Sequence, residues 1–299
     1  MDYRGEKIMA LSLKEIAGWC ETNHREFWEY MLYDDMNERN ITKEESFAQM
    51  ELAFETMENA IDTYQSERVS ASGLVGGNGA LLDRYFETAD SSESVQAPLS
   101  GTFTKEAMSV ALKMAESNAC MRRIVAAPTA GACGVIPAIL IPYYHQRHCS
   151  KDDVIKALYV SGAIGQVISE RASISGAAGG CQAEIGSASA MAAGALTFLQ
   201  GGSTEQICHA AALALKGLLG LVCDPVGGLV EVPCVKRNVI GTVNAISCTD
   251  MVMAGIVSRI PPDEVIDAMA EIGEKMDSSL RETALGGLAA TPTGQKYHK

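Results

Sequence analysis

Three of the nine cysteines lie at the edges of a part of the chain that is rich in glycine and poor in charge. Cys181 follows two glycines, Cys223 opens the run Cys-Asp-Pro-Val-Gly-Gly, and Cys234 closes the run Val-Pro-Cys. Thiolates hold iron–sulfur clusters, and glycine-rich loops leave backbone N–H groups free to hydrogen-bond cluster sulfides. Structural zinc sites more often show short Cys-x-x-Cys pairs, which this chain lacks. The spacing alone is only a weak indication of metal or cluster ligation.

The other cysteines are interpreted as structural, with one exception. Nine is an odd number and the spacing is irregular, so we expect no disulfide scaffold in a cytoplasmic chain of 299 residues. Free cysteine usually behaves as a small buried hydrophobe. Cys133, in Gly-Ala-Cys-Gly, is the one rival ligand. The structural set is Cys20, Cys120, Cys149, Cys208 and Cys248.

The elements that position these cysteines are predicted to be helices. Apolar residues make up 47% of the chain but aromatic residues only 6%, so small side chains must build the core and let helices approach closely. Capping-box patterns at Ser12, Thr42 and Ser203, and a weaker one at Ser150, mark helix starts. Apolar residues recur at helical spacing after Ser150 and Pro262, and no segment alternates with period two. The prediction is a mainly α protein.

Charge and glycine suggest how the chain is organised. Between Ala172 and Cys234 there are five charged residues, whereas residues 1–70 are charge-rich. We predict one domain over residues 1–299, with an amphipathic helical part at 1–70 and a compact core at 70–290 whose glycine-rich loops surround a buried cluster site. No glycine cluster has a phosphate-loop or dinucleotide-binding pattern, so a nucleotide site is disfavoured; tight helix packing is the alternative for each cluster.

The net charge of −13 and the absence of a Lys/Arg-rich run argue against nucleic acid as a partner. The longest apolar stretch, Ile207 to Cys223, is interrupted by charge and falls short of the roughly 20 residues of a membrane span. Residues Met1–Lys14 have no apolar signal-peptide core. These features predict a cytoplasmic protein without a membrane partner.

Four segments carry a resemblance to a known family. They are residues 127–137, 172–186 (Ala-Ser-Ile-Ser-Gly-Ala-Ala-Gly-Gly-Cys-Gln-Ala-Glu-Ile-Gly), 223–238 and 281–289, in that order. Together they resemble the cluster-binding part of bacterial iron–sulfur L-serine dehydratases, from about Ser70 onward. The resemblance implies a [4Fe–4S] cluster held by Cys181, Cys223 and Cys234. The Pro-Ser-Ser-Ser-His-Thr motif of the single-chain form is absent, which implies the α subunit of a two-subunit enzyme with a separate β subunit.

Three thiolates suit the implied reaction. Four would saturate the cluster, whereas three leave one iron with an open position that can act as a Lewis acid. Dehydration of L-serine must remove the α-proton and expel hydroxide, a poor leaving group until its charge is taken up. The aminoacrylate that results hydrolyses to pyruvate and ammonia. No pyridoxal phosphate is needed, and no motif suggests it.

Candidate substrate anchors are polar residues in the glycine-rich segments: Ser72, Asn78, Thr129, Ser173 and Ser175. The resemblance favours the last three, although such residues are also common in loops for capping and turn reasons. Glu184 is a candidate proton acceptor. Lys236 and Arg237 could neutralise a substrate carboxylate or balance the charge of the cluster.

None of the five histidines falls inside a resembling segment; they are His24, His145, His148, His209 and His298. The main general base is therefore expected on the β subunit. Two alternatives stay open. One is a related lyase that releases sulfide from L-cysteine, and the other is a non-catalytic zinc-binding or electron-transfer protein. A higher oligomer is also possible.

Overall fold

The computed structural model describes residues 11–90, 97–147 and 149–298. Within these ranges the chain forms twelve α-helices joined by turns and short 3₁₀ segments, and it contains no β-strand. One isolated bridge pairs Cys223 with Arg281. The prediction of a mainly α protein is confirmed. Residues Met1–Ala10, part of the segment read for a signal peptide, and His148 lie outside the described residues.

The helices begin where the capping patterns predict. Ser12 accepts a hydrogen bond from the Glu15 N–H, and the capping boxes at Thr42, Ser150 and Ser203 are all formed. The helix bounds are α1 Leu13–Asn23, α2 Phe27–Arg39, α3 Lys43–Asp62, α4 Asn78–Asp90, α5 Thr102–Ala119, α6 Val135–Gln146, α7 Lys151–Arg171, α8 Gly176–Gly179, α9 Ser187–Leu199, α10 Thr204–Lys216, α11 Cys234–Met253 and α12 Pro262–Lys275.

Helix α9 lies at the centre of the molecule. Its residues are buried from Ser187 through Thr197, and it packs against α6, α7, α10 and α11. A helix that is apolar all round belongs in a core, and here small side chains let its neighbours approach. A Cβ on Gly194 would lie 2.1 Å from the Ile164 side chain of α7. Two of its buried hydroxyls are hydrogen-bonded, because Ser189 donates to the Gly241 carbonyl of α11 at 2.7 Å and Thr249 of α11 lies 3.3 Å from the Thr197 hydroxyl.

The first three helices share this hydrophobic core. Leu13, Ile16, Phe27 and Phe54 are almost fully buried and belong to the same cluster of core side chains as α7 and α9. Amphipathic helices bury one face and leave the other in water, and the many charges of residues 11–70 lie mainly on the exposed face. The boundary at about residue 70 stays a prediction.

Two irregular segments adjoin the candidate ligand cysteines. A π-helical turn, Gln182–Gly186, runs directly into α9, and Cys181 precedes it. The C-terminal segment, residues 278–298, folds as short 3₁₀ turns against the segment that starts at Cys223. One glycine cluster departs from the loop prediction, because Gly176–Gly179 forms a single helical turn, α8. None of the helices in the described part of the chain is long and apolar enough to span a membrane.

Candidate active site

The three predicted ligand cysteines lie in one buried region. Cys181 precedes the turn into α9, Cys234 begins α11, and Cys223 pairs with the C-terminal segment; each is at most 6% exposed. Burial raises the pKa of Cys181 to about 11 and that of Cys234 to about 12. The pKa of Cys223 is raised first by burial and then by the charges of the other two cysteines and Glu184. Backbone contacts join the three segments, because the Gln182 N–H, next to Cys181, donates to the Leu221 carbonyl at 2.9 Å, and Arg237, three residues after Cys234, donates to the Val222 carbonyl at 2.8 Å.

Because burial raises the pKa of these three thiols, they lose their protons only when a positive charge binds beside them. A metal deprotonates a coordinating thiol outright, whatever the pKa of the free thiol. Among the residues that the structure describes, no three His, Cys, Asp or Glu side chains are arranged to hold a single metal ion. The role of the three cysteines as metal ligands stays a prediction.

Arg237 is a cation that this chain places near the cysteines. Its guanidinium donates to the Val222 carbonyl at 2.8 Å and to Asp224 Oδ1 at 2.9 Å, and its charge lowers the pKa of the Cys181 thiol against the larger effect of burial. Asp224 is 3% exposed, and its Oδ2 accepts the Leu288 N–H at 2.8 Å. Hydrogen bonds thus link the C-terminal segment through Asp224 to Arg237. Lys236 is exposed instead.

Glu184 and Thr129 meet beside the cysteines. The Thr129 hydroxyl donates to Glu184 Oε1 at 2.8 Å. The pKa of Glu184 is raised by burial, lowered by this hydrogen bond and raised again by the charge of Glu282. The burial effect dominates, so the Glu184 carboxyl holds a proton more readily than an exposed glutamate.

Gly176 brings the backbone up against this group. A Cβ at Gly176 would lie 2.8 Å from Glu184 Oε2 and 3.1 Å from Cys223 Sγ. Ser175 directly precedes Gly176 and is exposed, and its N–H donates to Ser173 Oγ at 3.0 Å. Ser173, Ser175, Thr129 and Glu184 are therefore grouped around the turn that covers Cys223.

Replacing Gly176 with Ala should perturb the site without unfolding the protein. The new methyl group would displace the Glu184 carboxyl and crowd Cys223, while the helical turn itself tolerates Ala. We expect retained iron or turnover to fall by about 10- to 100-fold, as when groups that orient metal ligands are changed. Gly18→Ala is the matched control, because a Cβ there meets nothing within 4 Å. An unchanged Gly176→Ala protein would contradict this arrangement.

Ser72 and Asn78, also predicted as substrate anchors, hold other contacts. Ser72 and Ser70 both donate to Glu231 Oε2, the latter at 2.8 Å. Asn78 begins α4 and donates through its backbone N–H and its amide to the buried Glu116. Ser72 thereby joins the segment between Cys223 and Cys234, whereas Asn78 is tied to α5. Their role as substrate anchors stays a prediction.

Asn238, which the sequence did not single out, fastens the 127–137 segment to α11. Its side chain is fully buried, accepts the Gly134 N–H at 2.8 Å, and donates to the carbonyls of Gly131 at 2.8 Å and Cys234 at 3.0 Å. Its position four residues after Cys234, on the same helical face, was the available signal.

Asn238→Ala should destabilise the fold. The change leaves the buried Gly134 N–H and Gly131 carbonyl without partners, and each unsatisfied buried group costs about 1–3 kcal/mol. We expect the free energy of unfolding, measured by urea denaturation, to fall by roughly 2–5 kcal/mol. Asn118→Ala removes one half-exposed hydrogen bond and should cost less than about 1 kcal/mol. Equal losses in the two variants would be inconsistent with the fastening role.

The remaining cysteines and histidines have surroundings of their own. Cys133 is fully buried, its Sγ lies 3.8 Å from the Met114 carbonyl of α5, and burial raises its pKa to about 12. His145 lies within 4 Å of Glu58 and Glu106 on the surface, and His209 lies 3.5 Å from Glu205. Within the described residues, no contact joins a histidine to the three central cysteines.

Comparison with known proteins identifies the family. A profile of the serine dehydratase alpha chain family matches residues 22–289. The chain belongs to the serine dehydratase alpha chain family. The L-serine dehydratase alpha chain of Peptoniphilus asaccharolyticus is 39% identical to it over 292 residues, which is 97% of this chain and 98% of that protein. The prediction of an L-serine dehydratase α chain is thereby confirmed.

Other members of the family show how this chain relates to longer enzymes. The probable L-serine dehydratase alpha chain of Bacillus subtilis (strain 168) is 48% identical over 90% of this chain and 87% of its own length. L-serine dehydratase 1 of Escherichia coli (strain K12) is 46% identical over 60% of this chain but only 40% of its own length. The similarity to serine dehydratase alpha chains therefore covers nearly whole proteins, whereas longer dehydratases contain an additional part.

Proposed function

We propose that this chain is the cluster-binding subunit of an iron–sulfur L-serine dehydratase that converts L-serine to pyruvate and ammonia with a β subunit. One observation carries the proposal. In a serine dehydratase alpha chain, three buried cysteines share a region with Arg237 and with Glu184, whose pKa is raised by burial. Such a group of perturbed titratable residues is typical of active sites.

The chemistry of the donors fits a cluster. Cys181, Cys223 and Cys234 are soft donors of the kind that hold iron–sulfur clusters, and the cation Arg237 is already paired with Asp224. Gly176 leaves space beside Cys223 that any other side chain would fill. When bound, a [4Fe–4S] cluster on three thiolates supplies one iron with an open position as a Lewis acid.

The residues of this chain around the cluster site have different roles. Arg237 offsets thiolate charge at Cys181 and orients it, as outer-shell hydrogen bonds do for metal ligands. The hydroxyls of Thr129, Ser173 and Ser175 can orient the polar groups of L-serine. The turn at Gly176 keeps bulky side chains away from Cys223.

Glu184 is the residue of this chain that can move a proton at the substrate. Loss of water from serine transfers the α-proton away and adds a proton to the departing hydroxyl. A carboxyl whose pKa is raised towards neutrality accepts and returns protons efficiently. We assign the main general base to the β subunit, because no histidine of the described residues reaches this group.

Pyruvate formation tests this function. The chain is reconstituted anaerobically with iron and sulfide, alone and with the β subunit, and supplied with L-serine or L-cysteine. Pyruvate from L-serine with both chains present supports the proposal, and turnover that needs the β subunit supports a shared active site. Preference for L-cysteine would favour the sulfide-releasing lyase instead. A cluster-loaded complex that is inactive on both substrates would point to the non-catalytic alternative.

A further inference from the structure

Arg281 is fixed opposite one of the candidate ligands. The Cys223 N–H donates to the Leu280 carbonyl at 2.8 Å, and the Glu282 N–H donates to the Cys223 carbonyl at 2.8 Å. These two hydrogen bonds make Arg281 and Cys223 direct partners in a short parallel bridge. A backbone held at both neighbours leaves the base of the Arg281 side chain little freedom to move away from the site.

The guanidinium of Arg281 has unused hydrogen-bonding capacity. Its Nη1 lies 3.5 Å from the Ala178 carbonyl, and its buried Nε has no hydrogen-bond partner among the described residues. No carboxylate of the described residues lies within ion-pair distance of it. Guanidinium carries five N–H donors in a fork that matches a carboxylate. A buried N–H donor without a partner is unfavourable, so a bound acceptor at the Nε of Arg281 would be stabilising.

The contact with the Ala178 carbonyl shows where the N–H donors of the Arg281 guanidinium lie. Ala178 belongs to the turn that contains Gly176, where a Cβ would lie 3.1 Å from Cys223 Sγ and 2.8 Å from Glu184 Oε2. Ser175 begins the same turn. The guanidinium of Arg281 therefore bridges from the C-terminal segment to the turn around which Ser173, Ser175 and Glu184 are grouped.

The other cations near the cysteines are less suited to hold a substrate. Arg237 forms an ion pair with Asp224 and donates to the Val222 carbonyl, and Lys236 is exposed. The two arginines therefore differ, because Arg237 is paired with a carboxylate of the protein and Arg281 has no ion-pair partner among the described residues.

We propose that Arg281 binds the carboxylate of the amino-acid substrate, an inference that rests on the function proposed above. A carboxylate has two oxygens and about four lone-pair positions, so a guanidinium can bind it bidentately and still leave a position for another partner. The ligand class is an α-amino acid whose carboxylate carries a negative charge. An uncharged amide at that position loses the interaction.

The test compares L-serine with L-serinamide in the complete α–β enzyme. Binding is followed by the change that each compound causes in the visible spectrum of the reconstituted cluster, and turnover gives KM and kcat. In Arg281→Gln we expect the Kd and KM for L-serine to rise by roughly 30- to 300-fold, with iron content unchanged. Affinity for L-serinamide should change by less than about threefold, so discrimination between the two compounds is lost.

Two further variants keep the result interpretable. Arg84→Gln makes the same substitution at an exposed position of α4 and should leave both affinities unchanged. Arg281→Lys keeps the positive charge but not the paired N–H donors of the guanidinium, and it should reduce discrimination between L-serine and L-serinamide by about tenfold. If Arg281→Gln loses iron, Arg281→Lys is the variant that tests the inference. Unaltered discrimination in an active Arg281→Lys or Arg281→Gln enzyme would overturn this inference. A wild-type enzyme that neither binds nor converts L-serine would overturn the proposed function instead.

Discussion

Replacing Cys181, Cys223 or Cys234 with Ser should abolish cluster retention and activity together. A hydroxyl is a much poorer ligand for iron than a thiolate, and each cysteine is expected to hold its own iron. After anaerobic reconstitution we expect the iron and sulfide content of each variant to fall to a small fraction of the wild-type value. Pyruvate formation should fall by more than about 100-fold.

Cys149→Ser and Cys133→Ser are the matched controls for this prediction. Cys149 is half-buried beside the start of α7, and Cys133 contacts α5 through the Met114 carbonyl. Both variants should keep their iron and sulfide, although Cys133→Ser places a hydroxyl in a fully buried position and should lower stability. Loss of iron from Cys149→Ser, or its retention in Cys223→Ser, would show that the ligands are assigned wrongly.

The second large effect is expected for Glu184→Gln. The amide has nearly the same shape and can still accept the Thr129 hydrogen bond, but it cannot take up or return a proton. We expect kcat to fall by roughly 10²- to 10⁴-fold, the usual contribution of a positioned proton-transfer group, while iron content stays at the wild-type value. Glu87→Gln, at an exposed position of α4, should be neutral.

The pH dependence of Glu184 variants separates a proton-transfer role from a structural one. The hydrogen bond from Thr129 lowers the pKa of Glu184, so Thr129→Val should raise that pKa. The corresponding limb of the kcat profile should then move to higher pH, and it should be absent in Glu184→Gln. A Glu184→Gln enzyme whose kcat and pH profile match the wild type would exclude this carboxyl from proton transfer.

The helices were predictable because their signals are local. A capping residue and the apolar spacing that follows it fix a helix start within a few residues, as at Ser150 and Ser203. The centrality of α9 was also predictable, because its sequence between Ser187 and Leu199 has no charged residue to place in water. The helical turn at Gly176 was missed, since glycine is unfavourable in helices and only tertiary contacts hold it there.

The candidate site was predictable in part, through residue types and resemblance. Cys181, Cys223, Cys234 and Glu184 stood out by their context, and the structure brings them together. The pairing of Cys223 with Arg281 and the chain from Leu288 through Asp224 to Arg237 join segments that are distant in sequence. No spacing rule reveals such contacts, because they depend on how the C-terminal segment folds back.

The most direct test of the central claim is whether one iron of the bound cluster is open to substrate. Mössbauer spectra of the chain, reconstituted anaerobically with isotopically enriched iron, are compared before and after addition of L-serine. We predict a [4Fe–4S] cluster in which a single iron changes its signal on addition of L-serine but not of D-alanine, which lacks the hydroxyl. A cluster in which no iron responds, or a chain that binds zinc in place of a cluster, would contradict the account.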